Sequence, residues 1–271
     1  MPSPSPTVLQ PREGVNRRFA TMRSVLALIL REMATRYGRS PGGYIWAVIE
    51  PMAAIVILSI GFSLLLHAPS LGTSFILFYA TGYLPFNLYQ IITQMVGGCI
   101  SFSRPLLHYP AVTWADAAIA RFILNALTGI LVMILLLTII VIVTESRLVL
   151  DLVPILVSVS LALLLGFGFG MMNAALMGLF PVWAQFWGIV SRPLFLMSGV
   201  FYIYEDLPQL AGSLLWYNPL IHVVGLMREG FYPTYTPNYI DVPYVVATGL
   251  IPLFFGVVLM GKYHRDILNN P

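Results

Sequence analysis

Arg192 is the residue whose chemistry is hardest to assign to scaffolding. It sits between Ser191 and Pro193 in an apolar run, and no charged residue occurs between Asp151 and it. A guanidinium placed so deep marks a transport pathway by default, and an anionic group on a substrate is its natural partner. The plainer alternative is an anchor at the inner membrane interface. A second set of residues is spaced for sugar chemistry. At 100° per residue Tyr79, Tyr83, Phe86, Gln90 and Thr93 share one helical stripe, with Asn87 and Gln94 at its edge. Sugar rings present hydroxyls in their plane and C–H groups on their faces, so uncharged amides beside aromatic rings suit a wall along which sugars pass. The same residue types also hold helices together in lipid, and both accounts stand. Tyr202, Trp216 and Tyr217 add further aromatic faces, as part of that pathway or as an interfacial belt.

Other chemistry is poorly supported. Gly256 to Lys262 spells GxxxxGK, but Tyr263 follows where a Ser or Thr is needed, and a membrane helix precedes where a strand is needed. Lys262 is the only lysine, so ATP hydrolysis must come from a partner. His108 has no second histidine or cysteine at ligand spacing, and no HExxH, CxxC or GxSxG motif occurs, which argues against metal or hydrolase chemistry. Cys99, the sole cysteine, reads as a packing residue.

The elements that must position these residues are membrane helices. The chain is 58% hydrophobic and only 9% charged over 271 residues, far below the roughly 25% charge of a soluble surface. Residues 1–16 are Pro- and Ser-rich and read as a disordered cytoplasmic tail. Within 17–40 the apolar Phe19, Met22, Leu26, Ile29, Met33 and Tyr37 recur every three or four positions, predicting an amphipathic helix at the inner membrane surface. Apolar stretches predict six spans: Tyr44–Leu66, Phe75–Val96, Ile119–Val143, near Leu152–Leu176, near Phe186–Tyr204, and Val242–Met260. Glu50, in the first third of span one, is costly unless it pairs, and an ion-pair lock to the amphipathic helix is expected. Arg121 is expected to snorkel to the inner interface. Gly166 and Gly170 form a small-xxx-small pair on a smooth glycine face where another helix can approach, weak evidence for dimerisation in particular.

Residues 205–235 are too broken by Pro208, Gly212, Pro219 and Gly225 for an ordinary span and too apolar for a solvated loop, so they read as helices that enter the bilayer and turn back. Six spans place both ends inside. The inner ends and loops then hold most basic residues, including seven before residue 40. Outside are only Arg147 and Arg228, against Glu145, Asp151, Glu205, Asp206, Glu229 and Asp241. That asymmetry reads as topology, not as a nucleic-acid surface.

GGYIWAVIEPM at the start of span one, RPLFLMSGVFYIYEDLP and LLWYNPLIHVVGLMREGFYPTY together resemble the permease subunits of ABC-2-type transporters, and within them the capsular polysaccharide exporters of Gram-negative bacteria. On this resemblance 41–271 is one six-helix transmembrane domain. Gly43, Trp46, Glu50 and Pro51 match the first family signature, and Ser198, Gly199, Asn218, Pro219 and Arg228 the second. The resemblance implies an all-α integral inner-membrane protein with both termini cytoplasmic. It implies a homodimer bound to two copies of a separate ATPase that holds ATP and Mg, with no cofactor in this chain. Arg31, Arg36, Arg104, His108, Trp114 and Asp116, on the amphipathic helix and the Gly97–Asp116 loop, would meet that ATPase. A lipid-linked polysaccharide would be the substrate, and a periplasm-spanning copolymerase and an outer-membrane export protein would carry it onward. An O-antigen or teichoic-acid exporter permease is the nearest alternative. A membrane-embedded lipid or sugar transferase is a more distant one, lacking an acid–base pair at depth.

Overall fold

The computed structural model describes residues 20–37, 43, 45–107, 109, 112–144 and 149–269. The tail of residues 1–16, Arg17, Arg18, Phe19, Arg39, His108, Glu145, Arg147 and the side chains of Arg36 and Tyr37 lie outside the described residues. All regular structure among the described residues is helical.

The elements are α1 (Ala20–Tyr37), α2 (Ile45–Ser63), α3 (Phe75–Gly97), α4 (Cys99–Leu107), α5 (Trp114–Val143), α6 (Leu152–Leu179), α7 (Val182–Leu196), α8 (Gln209–Leu215), α9 (Pro219–Phe231) and α10 (Val242–Asn269). Local chemistry sets most boundaries. Ser74 caps α3 by accepting from the Leu77 amide, Asp151 caps α6 through the Val153 amide, and Thr113 with Asp116 forms a reciprocal capping box at α5. Pro181, with no amide hydrogen to donate, separates α6 from α7.

Among the described residues four helices are long and apolar enough to cross a membrane, α2, α5, α6 and α10, and the α8–α9 pair, bent by 100°, adds a fifth if it counts as one broken span. The two remaining expected spans differ for physical reasons. Helix α3 has the length, at 23 residues, but its tyrosines, Asn87, Gln90 and Gln94 dilute its apolar character. Helix α7 has 15 residues, about 22 Å of rise and so short of a ~30 Å hydrocarbon core. It ends at Leu196 and not near Tyr204, because Gly199 turns the chain with φ +78° where an added Cβ would sit 3.1 Å from Ile221.

The core lies around α3, α6 and α9, and the closest packing is α6 against α10 and against α3. The glycine face of α6 makes both contacts possible. Cβ atoms at Gly166 and Gly170 would strike Ile92 and Val96 of α3, while one at Gly168 would strike the Gly249 carbonyl of α10. The small-xxx-small pair therefore packs helices within this chain and is not evidence of dimerisation. Apolar side chains elsewhere face outward, among them Leu127, Leu131 and Ile134 of α5 and Phe254 and Phe255 of α10. On α1 the outward residues are Met22, Leu26, Leu30 and Met33, whereas Leu28 and Glu32 turn inward.

Contacts at the two ends order the bundle. Helix α1, the C-terminal end of α3, α4, the start of α5 and the end of α10 share one end, where Arg104 donates to the Leu268 carbonyl and Arg121 bridges Glu32 and Met95. The turn between α7 and α8, the end of α9 and the start of α6 share the other, where the Asp151 amide donates to the Gly230 carbonyl.

Candidate functional site

Helix α7 contains no buried residue and touches the bundle through Trp183, Trp187 and Phe195. The gap between it and α3 is a cavity of about 600 Å³. Tyr83, Phe86, Gln90 and Arg192, four of the residues expected on a substrate pathway, line it together. Thr93 and Gln94 of the same stripe join them, along with Tyr89, Trp187, Ser191 and Phe195. Tyr89 falls on the face of α3 next to the stripe, and Trp187 lies five residues before Arg192 on α7. Neither carried a signal until the facing of the two helices was known. Phe195 packs edge-on to Tyr83 at 6.1 Å and tilted to Phe86 at 5.1 Å, closing the apolar end. Arg192 is exposed and forms no ion pair among the described residues. Among the described residues the cavity thus offers one free cation, two amides and several ring faces, a set that can hold an anionic or hydroxyl-rich chain loosely.

Four other expected pathway residues lie elsewhere. Tyr79 is buried against Phe62, Phe75 and Phe78, outside the cavity lining. Tyr202, Trp216 and Tyr217 belong to the α7–α10 connection. Trp216 donates to the Tyr239 carbonyl and stacks on Tyr244 at 5.0 Å, and the Tyr217 carbonyl accepts from Tyr244. The Tyr202 hydroxyl donates to the Leu196 carbonyl, capping the end of α7.

The second signature is a brace across this connection. Asn218 caps α9 through the Leu220 amide, with Pro219 at the first helical position, and its side-chain amide donates to the Met197 carbonyl at 2.8 Å. Ser198 is fully buried and donates to the Phe195 carbonyl. Arg228, counted above with the outside loops, is instead buried. Its guanidinium donates to the Val200 and Tyr202 carbonyls at 2.9 and 2.6 Å and lies 4.1 Å from the centre of the Phe78 ring. It does not pair with Glu229. The tract WYNPLIHVVGLMREG, through Arg228, satisfies loose carbonyls of the tract SGVFY. In the link after α9, burial raises the hydroxyl pKa of Tyr239 to about 12, while that of Tyr235, which donates to Glu205 at 3.0 Å, is also raised by burial.

Opposite the large cavity, on the other side of α3, a pocket of about 330 Å³ lies between α2, α3 and α5. Gly43, Trp46, Glu50 and Pro51 of the first signature line it with Asn87, and Gln94 borders both cavities. Gly43 turns the chain into α2 with φ +43° and accepts from the Trp46 amide. Glu50 forms no ion pair among the described residues, so the expected lock to α1 is not made there. The charges are reversed: Glu32 of α1 pairs with Arg121 of α5, 3.1 Å apart. Arg121 is accordingly buried and does not snorkel.

Residues expected to meet an ATPase gather at this end. Arg31 lies 5.5 Å over the Phe102 ring, Arg104 holds the end of α10, Trp114 is half-buried at the start of α5, and Asp116 is buried in the capping box. Asp116 therefore has a local structural task. Gly256 to Lys262 is continuous helix within α10, a geometry that cannot cradle phosphates.

The sequence matches the ABC-2 type transporter family over residues 23–232. It is 32% identical over 247 residues to the polysialic acid transport protein KpsM of Escherichia coli, covering 91% of this chain and 96% of that protein. It is 25% identical over 245 residues to the capsule polysaccharide export inner-membrane protein BexB of Haemophilus influenzae, covering 90% and 92%. It is 23% identical over 250 residues to the protein of the same description, CtrC, of Neisseria meningitidis serogroup B, covering 92% and 94%.

Proposed function

The chain belongs to the ABC-2 type transporter family, and from that premise we propose that it is the inner-membrane permease of an ATP-driven exporter of capsular polysaccharide. The observation that carries this reading is kinship along nine-tenths of the chain with proteins named for polysialic acid or capsule polysaccharide transport. It is a transport subunit and not an enzyme, and a separate ATPase supplies the energy.

The finer reading gives this protein six crossings, formed by α2, α3, α5, α6, α7 and α10, with α8 and α9 re-entrant. Burial of nearly all of α9 supports re-entry, since a helix wrapped in protein can be followed and preceded by irregular backbone at depth. Helix α4 meets both α1, where Arg31 lies over Phe102, and the end of α10, where Arg104 donates to Leu268, which supports an even number of crossings, and the basic N-terminal region supports a cytoplasmic location for that end. There α1 lies along the interface, and α1 with α4 meets two copies of an ABC ATPase that binds ATP and Mg. A second copy of the chain completes the pathway against the unburied face of α7, where Val182, Phe186 and Ile189 are exposed. Arg192 and the α3 wall then line the route of a lipid-linked glycan, handed on to a copolymerase and an outer-membrane export protein. Co-purification with the soluble ABC ATPase of the same capsule locus tests this: a stable complex whose ATPase activity is absent from the permease alone is expected. A permease that binds no ATPase in lipid would refute it.

A further inference from the structure

One side chain of α5 touches three other helices at the ATPase-facing end. Arg121 projects from α5 and its Nε donates to both Glu32 oxygens on α1, at 3.1 and 3.2 Å. Its Nη1 donates to the Met95 carbonyl near the C-terminal end of α3 at 2.8 Å, a cation placed where helix carbonyls are unsatisfied. Its guanidinium carbon lies 4.3 Å from the centre of the Phe102 ring on α4. Gly98, between α3 and α4, leaves space for this: a Cβ there would come within 3.3 Å of Nη1. Both Glu32 and Arg121 are buried, at 2% and 8% exposure.

Stability alone is a poor reason for such a pair. Desolvating two charges costs about as much as their attraction returns, and apolar residues of similar volume hold helices together as well or better. What the pair adds is direction. The planar guanidinium fixes α1 to the last turn of α3 in one register, and Met95 follows Gln94, which borders both cavities.

Resting on the permease reading above, we propose that Glu32 and Arg121 are positioning residues: a joint that makes α1 and the α3–α4 break move as one body. Displacement of α1 by the ATPase thereby reaches the cavity wall at Gln94. Neither residue touches the glycan.

The test uses the full permease with its ATPase, reading complex yield, ATP hydrolysis in lipid and surface polysaccharide in cells. The double variant Glu32→Leu/Arg121→Met keeps α1 packed by apolar contact. It is expected to assemble normally and to hydrolyse ATP at near the wild-type rate, while export per ATP falls about tenfold, an ordinary size for coupling between sites. The variant Arg121→Lys keeps a cation opposite Glu32, and so the fold. It cannot hold the carboxylate and the Met95 carbonyl in one planar fork, and export per ATP is expected to drop about threefold. Export from the double variant within about twofold of wild type, or a loss in either variant that only tracks complex yield, would overturn the joint. A wild-type permease that neither bound the ATPase nor exported would instead overturn the permease reading, and the joint with it.

Discussion

Replacing Gly256 by Ala is a direct probe of how this bundle holds its shape. Gly256 of α10 faces the backbone of α6, and an added Cβ would lie 2.6 Å from the Met171 carbonyl carbon and from the Met172 nitrogen. Carbon contacts are most favourable at about 3.5–4.0 Å, so α10 must retreat by roughly 1 Å. The obstacle is helical backbone, which cannot rotate aside as a side-chain tip can. A gap of that size forfeits a quarter to a half of the local dispersion energy, and overpacking of this kind costs about 1–3 kcal/mol. Removing a helix-interior glycine returns about 1 kcal/mol. The net loss expected in α10 is about 1 kcal/mol, or roughly 2–4 °C by the scaling for chains of about this length. Gly61 of α2 is the control, since nothing lies within 4 Å of its added Cβ; Gly61→Ala should be neutral or stabilising by about 1 kcal/mol. Thermal unfolding of both variants in the same detergent, followed by fluorescence size exclusion, gives the comparison. Equal melting temperatures for Gly256→Ala and Gly61→Ala would refute the argument that the glycines set the α6–α10 distance.

Arg192→Ala should lower surface polysaccharide sharply while leaving complex assembly and melting temperature unchanged within about 0.5 kcal/mol, because the side chain is exposed and holds no ion pair among the described residues. Normal capsule in that strain would remove Arg192 from the pathway. Arg228→Lys should destabilise more than Arg228→Met, since lysine buries a charge without reaching both the Val200 and Tyr202 carbonyls in one fork; the order of melting temperatures decides. Tyr239→Phe loses the hydroxyl's bond to the Ile221 carbonyl, about 1 kcal/mol at pH 8. The folded-state pKa of Tyr239 is raised to about 12 from the ordinary 10.0, so its contribution is intact below pH 10 and lost as pH rises toward 12. The gap between wild type and Tyr239→Phe should therefore narrow from pH 8 to pH 11, and a constant gap would argue against the buried hydroxyl.

Much of the fold was legible because lipid imposes simple demands. The charge-free run after Asp151, cut at Pro181, marked α6 and α7, and the start of α3 at Phe75 was placed correctly. The stripe on α3 put Tyr83, Phe86, Gln90 and Thr93 on one surface, where the cavity lies. Periodicity could not reveal which face a helix turns to which neighbour. The glycines of α6 looked free for an external partner, yet α3 and α10 occupy both sides. Glu50 is conspicuous in the sequence because its surroundings are apolar, whereas Glu32 sits among polar neighbours in a segment expected at the interface. Its burial depends on Arg121, 89 positions away. Arg228 was misplaced for a similar reason: its partners are backbone carbonyls of Val200 and Tyr202, which leave no signature in side-chain composition.

The most direct test of the central claim is surface polysaccharide in a strain lacking this gene, measured together with intracellular polymer and after complementation. The account predicts loss of surface capsule with polymer accumulating inside, restored by the wild-type chain only when the ATPase is present. Unchanged surface glycan in the deletion strain would contradict it.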